Sequence, residues 1–167
     1  LLVHMVNLDL SEKDVNWMRH TARAPKRAAI GQLYSDMTFD EGKVLNEKPQ
    51  LGTRLYTMAN LQKFGGACGD QAHFTSRFAK CDGVPGMKVY GLNRTGFYHA
   101  WAGYIVRGTK DSKRLVFTGR YYFDYYYTGQ VLDPQTGLMV LDRYLAMTFD
   151  GLTKSYKEYI EAQALIR

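Results

Sequence analysis

The segment Tyr98 to Val106 (YHAWAGYIV) constrains the fold most. Its aromatic and β-branched residues suit a pleated strand, and Gly108 to Lys113 behind it suits a hairpin turn. Arg114 to Thr118 starts a returning strand, followed by the Tyr-rich run Tyr121 to Tyr127. Ahead of the hairpin, Met87 to Leu92 (MKVYGL) reads as a further strand after the turn Gly83-Val84-Pro85-Gly86. A short antiparallel sheet in mid-chain needs helices from elsewhere in the sequence to cover it.

The flanks supply them. Ser11 reads as an N-cap, with Asp14 three residues on, opening a helix from about Glu12 to Arg23. Pro25 suits the first turn of a second helix running through Met37. Asp40 to Thr53 reads as a short helix and then loop, and Thr57 caps a helix over Met58, Leu61 and Phe64 that Gly65-Gly66 ends. Asp70 to Lys80 carries the helical pair Phe74/Phe78. After a turn around Asp133-Pro134, Leu138 to Phe149 and Leu152 to Ile166 read as helices anchored by Leu141, Leu145, Ile160 and Ala164. The order predicts an α+β fold: a central helix packed on a small antiparallel sheet, flanked by N- and C-terminal helices.

At 167 residues the chain is one compact unit, long enough to bury roughly 70% of its unfolded surface without a disulfide or metal. Apolar residues at 46% and charged residues at 23% exclude a disordered tail or a collagen-like fibre. No apolar run approaches the roughly 18 residues of a membrane span. The net charge of +6 raises the question of nucleic acid, but Lys26-Arg27 and Lys113-Arg114 are scattered pairs, not a basic stripe. The expected partner is a peptide or protein. Two cysteines without a CxxC spacing make neither a disulfide framework nor a zinc site, so no metal is expected. The chain begins at Leu1 and reads as a fragment or processed product, which leaves its localisation and oligomeric state unreadable.

The stretch Gly65-Gly66-Ala67-Cys68-Gly69-Asp70-Gln71 is the most informative for chemistry. Three glycines frame one thiol where a helix should begin. Glycine allows a tight turn and leaves the sulfur uncrowded. A helix N-terminus offers open N–H groups and a positive dipole end, which favour a thiolate and can receive an oxyanion. Asp70, in the same turn, opposes this with its negative charge. Cys81 lacks the glycine frame and reads as structural.

A thiolate needs a base. His99 opens the expected strand in Tyr98-His99-Ala100-Trp101, and Trp101 shares its face. His73, five residues after Cys68 on one helix, lies well round from the sulfur. A carboxylate should orient the imidazole. Asp124 is nearest by hairpin register and Asp133 lies further on, where Asp-Pro also forms turns. Trp101, Arg120 and Tyr121 are candidates to line a groove for a peptide-like substrate, with Arg120 free to anchor a carboxylate or pair with Asp124.

Gly65 to Ala72, followed about thirty residues later by His99-Ala100-Trp101-Ala102, resembles the transglutaminase-like superfamily of papain-type fold. In that family a Cys opens a helix, a "HAW" His begins a strand, and an Asp stands on the next strand, often before Pro. The resemblance spans about Tyr56 to Gly137. It implies an N-terminal helical segment over residues 1–55, a catalytic core over 56–137 and C-terminal helices over 138–167. It also implies Cys68 as nucleophile, His99 as base and a third member that matches Asp124 by spacing or Asp133 by its following Pro134. Papain-like proteases place a Gln six positions before the Cys as oxyanion donor, and Gln62 stands there. The implied activity is thioester-mediated acyl transfer without cofactor, as a cysteine protease, amidase or transglutaminase. The alternative is a member that has lost catalysis and keeps a peptide-binding cleft.

Overall fold

A computed structural model describes residues 4–7, 9–21, 30–93, 96–107, 115–118, 126–134 and 136–151. Helix α1 (Glu12–Thr21) starts as its sequence predicts: the Asp14 N–H donates to Ser11 Oγ at 3.1 Å. Asp14 does more than cap. Its Oδ1 accepts the Met58 N–H at 2.8 Å and so ties α1 to the start of α4 (Met58–Phe64). Thr57 caps α4 by accepting from Asn60 N at 3.2 Å. Between them lie α2 (Gln32–Asp36) and α3 (Glu41–Val44). Much of the helix expected from Pro25 lies outside the described residues.

The central helix α5 (Cys68–Cys81) carries Phe74 and Phe78 into a core with Met18, Met37, Leu51, Met58 and Leu61. Its other side lies on the sheet. Strands β1 (Gly86–Asn93), β2 (Tyr98–Arg107), β3 (Leu115–Thr118), β4 (Tyr126–Leu132) and β5 (Met139–Leu141) form one antiparallel sheet in the order β3-β2-β1-β4-β5. The hairpin of β2 and β3 pairs Arg107 with Leu115 and Tyr104 with Thr118.

Strand alternation sorts the two faces. Tyr90 lies across from Ala100, Lys88 from Ala102 and Gly86 from Tyr104. This face meets α5, because a Cβ on Gly86 would run into the Ser76 carbonyl and Ala79. Val89, Trp101 and Val131 lie across one another on the opposite face, with Leu145 of α6 (Asp142–Gly151) packed against their cluster.

One element differs from expectation. Leu138 to Phe149 does not form a single helix: Met139 to Leu141 is strand β5, with Val140 across from Val131, and the helix starts at Asp142. A short apolar run reads alike as buried strand or helix, and the pairing edge of β4 decides it. Leu152 to Ile166 lies outside the described residues. No helix among the described residues is long and apolar enough to cross a membrane. The fold is α+β, a central helix on an antiparallel sheet.

Candidate active site

The chain reaches Cys68 through a crossing made of one parallel bridge, Phe39 to Gly66. Residues Thr38 to Asp40 run beside Gly65-Gly66: Gly66 N donates to the Thr38 carbonyl and Asp40 N to the Gly66 carbonyl, each at 3.0 Å. Gly65 has φ 76° and ψ −169°, a region essentially closed to other residues. A Cβ there would sit 2.3 Å from the Thr38 carbonyl oxygen. At Gly66 a Cβ would meet the Asp70 side chain at 2.4 Å. The glycines therefore serve the crossing and the helix cap, rather than clearing space round the sulfur as the sequence suggested.

Asp70 also differs from expectation. Its carboxylate turns back from the first turn of α5: Oδ2 accepts the Ala67 N–H at 2.8 Å and Lys43 Nζ at 2.6 Å, and Oδ1 accepts the Tyr56 hydroxyl at 2.8 Å. Burial alone would push this carboxyl up, but the bonds from Lys43, Tyr56 and Ala67 outweigh it and hold the group below its usual range. The same charge and burial raise the Tyr56 hydroxyl well above the tyrosine value, burial being the larger cause.

Cys68 is half-buried and packs against the sheet cluster that holds Ala72, Ala100 and Trp101. The Asp70 and Gln71 N–H groups bond to the Ala67 carbonyl. The N–H groups of Cys68 and Gly69 stand two residues earlier, ahead of any helical carbonyl that could accept them. Tyr98, at the start of β2, is raised by its slight burial, then by Tyr90 and by Cys68, whose sulfur it feels across the gap between helix and strand.

His99 is half-buried, and burial lowers its pKa. By alternation it leaves β2 on the side of Trp101, while Tyr98 and Ala100 point to α5. Its Nε2 lies 3.4 Å from the Tyr34 hydroxyl, which donates to the Ala100 carbonyl at 2.8 Å. Tyr34 belongs to α2, which packs on α5. Cys68 and His99 thus come to the same end of β2, from opposite sides of its pleat, with Tyr34 reaching the imidazole from the α5 side. Sequence reasoning missed Tyr34, whose only signal is an aromatic in a short, mostly polar helix. It also missed Lys43 and Tyr56; reading Asp70 as the N3 member of a capping box would have pointed to a partner for its charge.

Other expected residues fall elsewhere. Asp133 follows β4, which pairs with β1, not β2. His99 is level with Gly91 and Gly129, so Asp133 stands two strands across and four residues along, roughly 15 Å away. Its carboxylate accepts the Thr136 hydroxyl at 2.8 Å and its carbonyl the Gly137 N–H, which is turn chemistry. The sheet register does not bring Asp133 to His99. Trp101 is 1% exposed and belongs to the core rather than to a groove wall. Gln62 lies exposed on α4. Asp124, Arg120 and Tyr121 lie outside the described residues. His73, packed 5.7 Å from the Tyr56 ring, is lowered to about 4, chiefly by burial and then by Arg77. Among the described residues no group of three or more His, Cys, Asp or Glu is placed to hold a metal.

No family model matches the sequence, and no curated protein matches it. Among solved structures, the chain is similar to a protein from Cytophaga hutchinsonii that carries a provisional cysteine-protease name. The identity is 13% and the TM-score 0.30, over 80% of this chain and 47% of that one, so the chain spans about half its length.

Proposed function

We propose that the chain is a thiol-dependent acyl-transfer enzyme of distant papain-like or transglutaminase-like kind, with Cys68 as nucleophile and His99 as base. The observation that carries this reading is the seat of Cys68: a half-buried thiol on the first residue of a 14-residue helix, beside two open amides and against the strand that bears His99. The lowered pKa of His99 keeps its imidazole neutral near pH 7 and able to accept the thiol proton. The thiolate then attacks a carboxamide or peptide carbonyl. The oxyanion receives N–H bonds from Cys68 and Gly69, and His99 returns its proton to the departing amine as the C–N bond breaks. The thioester passes to water or to an amine. Proton transfer between them requires the imidazole to turn round the edge of β2, where its Nε2 faces Tyr34. Asp124 is the proposed orienting carboxylate. The substrate is a peptide or protein, received by Phe97 and Tyr98, which are 72% and 67% exposed.

The test is acylation by a p-nitrophenyl ester, read by intact-protein mass. The reading expects one acyl group on Cys68, none in Cys68→Ser, and a rate about a hundredfold lower in His99→Ala. No adduct, or acyl groups shared equally with Cys81, would overturn it.

A further inference from the structure

We propose that Asp70 is a positioning residue for Cys68, one whose carboxylate is neutralised in place by Lys43 so that it caps the helix without opposing the thiolate two residues away. This rests on Cys68 as the nucleophile. A carboxylate in the first turn needs only the N-cap amide to cap a helix, and Asp70 has it. It also takes a lysine from α3 and a hydroxyl from the loop before α4, three donors from three segments, while only 7% exposed.

The fold is arranged to deliver that lysine. The crossing of residues 38–40 over Gly65-Gly66 brings α3 to the start of α5, and Gly66 leaves room for the carboxylate to fold back. Asp40 holds α3 in turn: its Oδ1 accepts the Lys43 N–H and its Oδ2 the Gln50 N–H, at 3.3 and 2.7 Å. Without Lys43, a partly buried anion would remain one half-turn from the sulfur, where low dielectric strengthens repulsion. With it, the local charge cancels and the first turn stays fixed. The other charged or titratable groups near this corner are His73 and Arg77 (the latter paired with Asp9) on α5, Lys88 and Tyr90 on β1, Tyr98 on β2, and Tyr56 itself.

The experiment follows the pH profile of iodoacetamide alkylation at Cys68, in a Cys81→Ser background, for the parent, Lys43→Met, Asp70→Asn and the double variant. Lys43→Met should raise the midpoint and slow alkylation near pH 6.5 by about three- to tenfold. Asp70→Asn should shift it the other way, and the double variant should return toward the parent. Tyr56→Phe keeps both charges and should move the profile least, which preserves the test if a charge variant folds poorly. Coincident midpoints in all the folded variants, with only thermal stability lowered, would overturn the proposal and leave Asp70 a cap alone. If the parent Cys68 reacts as an ordinary thiol while the opposed shifts persist, the nucleophile reading fails and the charge coupling stands.

Discussion

Helix α5 ends in a cysteine at both termini, and the two ends have been built for different purposes. At the N-terminal end two glycines bridge to residues 38–40 and the helix's one carboxylate is tied to Lys43 and Tyr56, while the Cys68 and Gly69 amides have no backbone partner among the described residues. At the C-terminal end the N-terminal segment lies across the helix. Asn7 donates to Cys81 Sγ at 3.3 Å and to the Arg77 carbonyl at 3.2 Å, Lys80 donates to the Val6 carbonyl, and Arg77 pairs with Asp9. Burial raises the Cys81 thiol, against the opposing influence of Arg19 and Asn7. What distinguishes the thiols is which segment of chain is laid beside each, not the helix they share.

The sharpest way to break this contrast is Gly65→Ala. The new Cβ would demand a forbidden backbone region and press on the Thr38 carbonyl, so the crossing should fail at a cost of about 3 kcal/mol or more in urea unfolding. Amide exchange should open first over residues 38–40 and the start of α5, with the Cys81 end protected longer. Equal loss at both ends would show that the two do not behave separately.

A middle-sized effect comes from pH, and it involves both ends. His73, near the first, and His4, on the segment near the second, are each lowered to about 4, burial being the main cause. Unfolded histidine takes up its proton near pH 6.5, so between pH 6.5 and 4 the unfolded chain binds more protons than the folded one. Stability is full above that window and falls as pH drops through it. The melting temperature should decline by several degrees from pH 7 to 5, and His73→Gln should flatten part of that slope. A profile level across the window would contradict the burial of these rings.

The smallest effect is expected at Cys81→Ser. Serine can still accept the Asn7 N–H, so the change should stay within about 1 kcal/mol. A large loss would mean that the N-terminal segment depends on the sulfur.

Much of this architecture was legible because local signals agreed with tertiary ones. Ser11, Thr57 and the Phe74/Phe78 pair announced α1, α4 and α5, and the aromatic strand of Tyr98 to Val106 announced the hairpin. Strand β5 was not legible, because Met139-Val140-Leu141 has no period of its own and becomes a strand only by pairing with β4. The glycines around Cys68 were legible as a signal but not in their cause, since the Thr38 crossing lies 27 residues upstream of Gly65. The place of Asp133 was not legible, because Asp-Pro marks a turn as readily as a triad and sequence spacing does not show that β1 stands between β2 and β4. The Lys43–Asp70–Tyr56 cluster could not be read, being a meeting of three segments that no motif links.

The proposed division of labour puts the working thiol at the N-terminal end of α5, served by the imidazole on β2. One competition measures it: alkylate the folded protein with iodoacetamide at pH 6 and follow both cysteines by peptide mass. On this proposal Cys68 is modified at least about tenfold faster than Cys81, and His99→Ala removes most of that lead. Equal rates at the two ends, or a lead that survives His99→Ala unchanged, would contradict it.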